Sequence, residues 1–320
     1  EILRCLAGSE MCIRDRGETM KIEKKLWITL FAFGIFAICF SGWIFRQSTA
    51  REKMFWDNTI RCETKELKEG EIKSENIALP EDFDVPKSIL FKTTHTIAEV
   101  WLDGEKIYEY GNEADAPGFM KTPGSCWHIV DIPGDSSGKN LEVRIIPVYE
   151  GYYGNEVSLV YGTRGDCILK ILTDSLGILV ISCGILFASI ICLLLYLGAV
   201  RRKRRDKIEA KIEIFLNLGF FSLLIAVWTL AQCGFRQFLI PDGRTLYFVE
   251  YFSFFLFPVP FNFLLYDICK SRYHKGALIF STLYLVNMAG DVLLQCTGII
   301  DIFRMLPATH VIMVANAVYI

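Results

Sequence analysis

One apolar stretch, Leu26–Phe45, is followed by about 125 mostly polar residues and then by a closely spaced series of apolar runs from Leu176 to the last residue. A run of about 20 apolar residues is the length a helix needs to cross the hydrocarbon core of a bilayer. The chain must therefore keep one polar block in water while lipid takes up the runs on either side of it. Whole-chain composition fits this division: 52% of residues are apolar and 22% charged, a balance expected when half of a chain is membrane-embedded. Between Arg46 and Lys170 there are 15 Lys and Arg against 22 Asp and Glu. The polar block is acidic, and nucleic acid is not expected as a partner.

Residues 1–19 show no capping, periodicity or signal-peptide logic, and Met11-Cys-Ile-Arg-Asp-Arg16 resembles translated sequencing-adapter read-through. Met20 is read as the start, with 20–45 as a cytoplasmic beginning and an anchor helix. The apolar run exceeds the usual signal-peptide core and no small-x-small site ends it, so an uncleaved anchor is favoured over a signal peptide. The 11 cysteines do not form a disulfide framework. Cys5 and Cys12 lie in the leader, Cys39, Cys183, Cys192, Cys233, Cys269 and Cys296 in or beside apolar runs, where a thiol acts as a small hydrophobe. Cys62, Cys126 and Cys167 belong to the polar block, where no spacing selects a pair and no metal-binding CxxC occurs.

Charge sets the expected direction of each crossing. Lys24 and Lys25 hold the start in the cytoplasm, so the anchor exits and residues 46–170 lie outside the cell. A span over 176–200 re-enters and ends on Arg201, Arg202, Lys203, Arg204 and Arg205. Span 212–233 exits, Pro241-Asp242-Gly243 turns, and 247–268 returns to Lys270, Arg272, His274 and Lys275. Span 277–300 exits, 301–304 turns, and 306–320 begins another inward crossing. Each basic loop falls on the cytoplasmic side, and the lipid bilayer is the first partner expected.

Within the polar block the pattern is of short strands. Ser88–Thr93 and Ala98–Leu102 alternate, and Asp103-Gly104 is a tight-turn dipeptide leading into Lys106–Tyr110, which predicts a hairpin. Trp127–Asp131, Leu141–Pro147 and Val157–Tyr161 supply further strands. Short strands at this spacing predict an all-β two-sheet sandwich of jelly-roll type. Trp101, Tyr108, Tyr110, Trp127, Tyr149, Tyr152 and Tyr153 are the aromatic candidates for stacking on a sugar ring. Trp101 and Trp127 sit inside strand patterns and read more readily as core fillers. His95 and His128 lack neighbouring ligands, so no metal is expected, nor any cofactor. The acidic residues fall mainly in turns and offer no catalytic pair.

Ionisable groups inside a span are costly and call for a reason. Asn287, Asp291 and Gln295 share one helical face, expected to pack inward against Asn217, Gln232 or Asn262 as a structural hydrogen-bond network, with a proton- or ligand-responsive cluster as the functional alternative. Pro258-Val-Pro260 should kink its span and free backbone carbonyls.

Three stretches carry a family resemblance. His95-Thr-Ile-Ala-Glu-Val-Trp-Leu-Asp-Gly-Glu-Lys-Ile-Tyr-Glu-Tyr-Gly111 is similar to the sugar-binding jelly-roll pattern also found in family 2 glycoside hydrolases. Pro123-Gly-Ser-Cys-Trp127 with Val130-Asp-Ile-Pro133 resembles that domain's next strand, and Gly298–Asp301 with Leu306–His310 resembles a turn between two spans. Together they resemble bacterial seven-transmembrane receptors with diverse intracellular signalling modules, as in clostridial membrane diguanylate cyclases. The resemblance implies an external domain that binds a ligand, often carbohydrate, and a bundle over 171–320 that relays to a GGDEF diguanylate cyclase or, less often, a histidine kinase. It further implies two more spans beyond residue 320, an odd total that leaves the output in the cytoplasm, and a homodimer. No GG[DE]EF or kinase signature occurs in these residues, so they are expected to catalyse nothing. The other readings are a transporter or channel subunit, which would use Pro258, Pro260 and Asp291 but shows no inverted repeat, and a surface binding protein anchored by its bundle.

Overall fold

The computed structural model describes residues 59–61, 72–112, 116–149, 158–206, 212–269 and 273–320. Leu26–Phe45, Lys24, Lys25, Tyr152 and Tyr153 lie outside the described residues, as do the side chains of 202–206.

Among the described residues, eight strands form two four-stranded sheets: β1 Thr59–Arg61, β2 Lys73–Ala78, β3 Lys87–Thr94, β4 Thr96–Leu102, β5 Glu105–Tyr110, β6 Ser125–Ile132, β7 Asn140–Pro147 and β8 Ser158–Gly162. The first sheet has the order β1-β8-β3-β6 and the second β2-β7-β4-β5, and every neighbouring pair is antiparallel. Inward residues of both sheets make one core, with Ile89 and Phe91 from β3, Ala98, Val100 and Leu102 from β4, and Leu141, Val143 and Ile145 from β7. Asp103 and Gly104 turn the β4–β5 hairpin at φ 47° and 84°, the left-handed pair that a two-residue turn needs to match strand twist.

A single residue, His95, carries the chain from β3 in one sheet to β4 in the other at φ 52°. This region disfavours a residue with a Cβ. Two backbone bonds hold the corner, His95 N to Gly124 O at 3.0 Å and Val148 N to His95 O at 3.2 Å.

β3 is buried on both sides. Ile89 and Phe91 face the second sheet, while Leu90 joins Val160 against Cys167 and Ile171. Those last two belong to α1, Arg164–Asp206, a helix of 43 residues. The helix begins 12 residues before the expected span, because its first turns carry Arg164, Asp166, Lys170 and Asp174 and escape a hydropathy reading. They nevertheless bury Cys167 and Ile171, one helical turn apart, beneath the first sheet. At 1.5 Å per residue, α1 is roughly 65 Å long, about twice a bilayer core.

The chain continues through α2 Glu213–Gln232, α3 Gly243–Leu256, α4 Pro258–Cys269, α5 His274–Cys296 and α6 Ile302–Tyr319. Among the described residues, five helical segments are long and apolar enough to cross a membrane, with α3 and α4 forming one of them over Gly243–Ile268. That segment breaks at Phe257, as Pro258 and Pro260 require, since neither can donate to the carbonyl four residues earlier. Two further starts precede expectation by four residues. α3 begins at 243, where the Asp242 carboxylate accepts from Arg244 N and Thr245 N, and α6 begins at 302 rather than 306. Ser182 Oγ donates to Thr229 Oγ1 at 2.8 Å, and Ser189 Oγ to Gly219 O at 2.8 Å, fixing α1 against α2. Because successive helices reverse direction, the start of α1, the α2–α3 loop and the α5–α6 turn gather under the sandwich. Arg201, His274 and Lys275 fall at the opposite end.

Candidate functional site at the sandwich–bundle junction

Three parts of the bundle grip the first sheet and its loops. In the α2–α3 loop, Gln237 Oε1 accepts from Trp127 N at 2.9 Å, continuing the hydrogen bonding of β6 beyond the sheet edge. Arg236 Nη2 donates to Ser125 O at 3.0 Å, while Nη1 lies 3.5 Å from Glu250 of α3. Burial pushes the Cys126 thiol up to about 11 despite the nearby Arg236 guanidinium, so it is a neutral thiol here. The Lys92 ammonium is held below its usual value, by burial first and by Arg236 second.

The second grip is backbone against backbone. Gly243 opens α3 so close to the β5–β6 connection that a Cβ there would lie 2.3 Å from the Tyr110 hydroxyl and 2.7 Å from Pro123 O. Opposite it, Gly124 has φ +84° and would place a Cβ 2.3 Å from Gly243 O. Only glycine meets both demands.

The third grip is the most buried. Tyr149, from the segment after β7, donates its hydroxyl to Asp301 Oδ2 at 2.6 Å. Gln295 Nε2 donates to Asp301 Oδ1 at 3.0 Å and to Phe119 O, and its Oε1 accepts from Ile302 N at 2.8 Å. Asp301 precedes α6 yet makes no capping bond to it with its side chain; the carboxylate instead joins two parts of the molecule. Around it, His95 meets Tyr149, Tyr247 and Phe303 at centroid distances of 5.5, 5.6 and 5.3 Å, and Phe303 stacks on Tyr149 at 4.8 Å. His95 Nδ1 is 2.8 Å from Thr122 Oγ1. Burial, then Arg236, brings this imidazole down to about 4. The Tyr149 hydroxyl is pushed far above its ordinary value, chiefly by burial, so it is a donor at any physiological pH. These groups form one buried polar and aromatic contact between the sandwich and the α5–α6 turn.

The aromatic candidates are dispersed. Trp127 faces the bundle, close to Gly234 and Ser175. Trp101 lies on the outer face of the second sheet, where the Arg144 guanidinium covers its ring at 4.4 Å and its Nε1 donates to Glu99 at 3.0 Å. Neither tryptophan fills the sandwich core: in β4 the inward positions are Ala98, Val100 and Leu102, which sends Trp101 outward. Tyr108 is half-buried and its hydroxyl is 2.9 Å from His128 Nδ1; burial pushes it up to about 12. Tyr149 is 1% exposed and belongs to the junction.

Asn287, Asp291 and Gln295 do share one face of α5, but their partners are not Asn217, Gln232 or Asn262. Asn287 Nδ2 donates to Asp291 Oδ2 at 2.8 Å and to Thr309 Oγ1 of α6 at 2.9 Å, so the face turns to α6. Asn217 instead donates to Asp267 at 2.6 Å, Gln232 meets Glu250 at 3.3 Å, and Asn262 accepts from Asn316 at 2.8 Å. Among the described residues no His, Cys, Asp and Glu cluster could hold a metal.

Sequence reasoning placed Asp301 in a turn between two spans without giving its side chain a role, and did not single out Phe119, Gln237 or Arg236. Only Asp301 carried a signal, as an Asp immediately before an apolar helical run. Compared with known proteins, the chain matches no family model, no curated protein and no solved structure.

Proposed function

We propose that this chain is the input part of a membrane receptor, in which an extracytoplasmic jelly roll binds a small ligand of carbohydrate type and the bundle relays that event to a cytoplasmic output of diguanylate cyclase kind. The strand orders β1-β8-β3-β6 and β2-β7-β4-β5 support the jelly-roll reading, since successive strands alternate between sheets except at the β4–β5 hairpin. The basic ends of the helices, opposite the sandwich, support its placement outside the cell. The output module and the homodimer rest on the family resemblance.

The observation that carries the relay is the bridge Tyr149–Asp301–Gln295–Phe119. Two loops of the sandwich converge there on one short turn between α5 and α6. Buried polar networks of this kind are sensitive to small displacements, because a displaced partner leaves a desolvated group unpaired. A ligand that binds one arrangement of these loops more tightly shifts the bundle toward the packing that goes with it.

The test uses the full chain in lipid nanodiscs, screened against a glycan library, with hydrogen exchange followed at 297–301. A bound glycan is expected to change exchange in that turn. A folded sandwich that binds no glycan overturns the ligand class, and binding without change at 297–301 overturns the relay. The gene sequence after residue 320 tests the output: a GGDEF or kinase module is expected, and further spans with no such module would overturn it.

A further inference from the structure

We infer that the α2–α3 loop is a wedge seated in the interfacial layer of the bilayer, and that Lys92 above it contacts lipid phosphate. The loop runs Gly234–Phe238 as a short 3-10 turn and continues through Leu239 and Ile240. It has two sides. Arg236 and Gln237 turn to β6, as described, while Phe238, Leu239 and Ile240 are 42, 71 and 39% exposed. A single exposed apolar side chain is ordinary, but three in succession on one edge of a loop mark a surface made for an apolar neighbour.

That neighbour is the bilayer, because the loop joins α2 and α3, both ends of which continue directly into lipid-length apolar helices. The α5–α6 turn repeats the arrangement: Gln295 holds Phe119 O, while Ile299, Ile300 and Phe119 itself are 68, 38 and 39% exposed. Lys92 adds charge complementarity. It lies on the side of β3 that faces the bundle; its side chain keeps open surface, while its ammonium is partly enclosed near Arg236 and Glu250 and stands 5.8 Å over the Trp127 ring. A lysine beside a tryptophan at the ends of membrane spans is the pairing expected at the headgroup level, where the ring lies among headgroups and the amine meets phosphate. The polar side of the loop would thus fix the sandwich, and the apolar side would fix its height on the membrane.

The full chain in nanodiscs of equal parts phosphatidylcholine and phosphatidylglycerol provides the test. A nitroxide coupled to p-acetylphenylalanine at position 239 is compared by power saturation with the same label at Ile181, on the lipid-facing side of α1, and at Glu105, the exposed first residue of β5. The ratio of oxygen to nickel-chelate collisions at 239 is expected to be several-fold above that at 105 and below that at 181, which lies about 9 Å farther along α1 into its apolar part. A ratio matching position 105 means water and overturns the wedge. Shielding from both reagents means cover by a second copy or by Leu26–Phe45 and overturns it equally. Position 240 serves as the second label site if 239 disturbs folding. Lys92→Gln is expected to lower several-fold the phosphatidylglycerol retained on extraction, and unchanged retention overturns the headgroup contact.

Discussion

Replacing His128 by Gln and lowering the pH isolates what a buried neutral imidazole contributes to the sandwich. His128 is 1% exposed, with Nε2 2.7 Å from Thr93 Oγ1 and Nδ1 2.9 Å from the Tyr108 hydroxyl, and Phe91 lies against its ring at 4.7 Å. Burial brings it down from 6.5 to about 3. Because the folded value lies below the unfolded one, the unfolded chain binds the proton first as pH falls. The stabilisation is therefore complete above about pH 6.5 and is lost as the pH falls toward 3. At about pH 4.5 two units have been crossed, and at ~1.36 kcal/mol per unit the loss is roughly 3 kcal/mol. His95, brought down to about 4, adds a similar amount by the same sign. Together they remove about 5 kcal/mol, a large share of the 5–15 kcal/mol typical of a domain. The assay is hydrogen exchange of the paired β3 and β6 amides, Lys87↔Ile132 to Thr94↔Ser125, in the full chain between about pH 7 and pH 4.5, corrected for the intrinsic exchange rate. Other titrating groups act equally in both proteins, so the difference in slope reports His128 alone. His128→Gln is expected to be less stable at neutral pH and to lose stability more slowly in acid. Equal slopes in wild type and variant would refute the assignment of a neutral, desolvated imidazole.

Tyr149→Phe removes the donor to Asp301 and leaves a buried carboxylate oxygen short of a partner, at a cost of about 1–3 kcal/mol; faster hydrogen exchange at 297–301, with β3 and β6 unchanged, is the expected result. Gly243→Ala places a methyl 2.3 Å from the Tyr110 hydroxyl and 2.7 Å from Pro123 O, an overpacking of roughly 1–3 kcal/mol that thermal melting should register and that Tyr110→Phe should partly relieve. Phe91→Ala opens the sandwich core and should cost about 3–5 kcal/mol, lowering protection throughout both sheets while the α1–α2 contacts at Ser182 and Ser189 persist.

Local rules carried the hairpin and the five long apolar helical segments among the described residues. Asp103-Gly104 names its turn because few dipeptides accept two left-handed residues, and long apolar runs stand out in the sequence by themselves. The start of α1 was hidden because its first turns intersperse charge with the two apolar residues, Cys167 and Ile171, that meet β3. Trp101 was misplaced by weighing its identity over its phase: Ala98, Val100 and Leu102 already defined the inward side of β4. The junction could not be read from spacing at all. Tyr149 and Asp301 are 152 positions apart, Gln237 and Trp127 110, and no periodicity links residues at such separations. The turn at His95 was equally silent, since a positive φ at a non-glycine residue is imposed by the two sheets it joins.

The unbroken course of α1 has a consequence for any exchange of parts among proteins of this build. Cys167 and Ile171 bind the helix to the sheet, and Ser182 and Ser189 bind the same helix to α2, with no joint between the two sets. One residue added or removed between Ile171 and Ser182 turns the upper contacts by about 100° relative to the lower ones and shifts them by about 1.5 Å. A foreign sandwich grafted onto this bundle therefore has allowed and forbidden phases. Splices that preserve whole turns of the helix should retain both contact sets, and those that do not must break one of them.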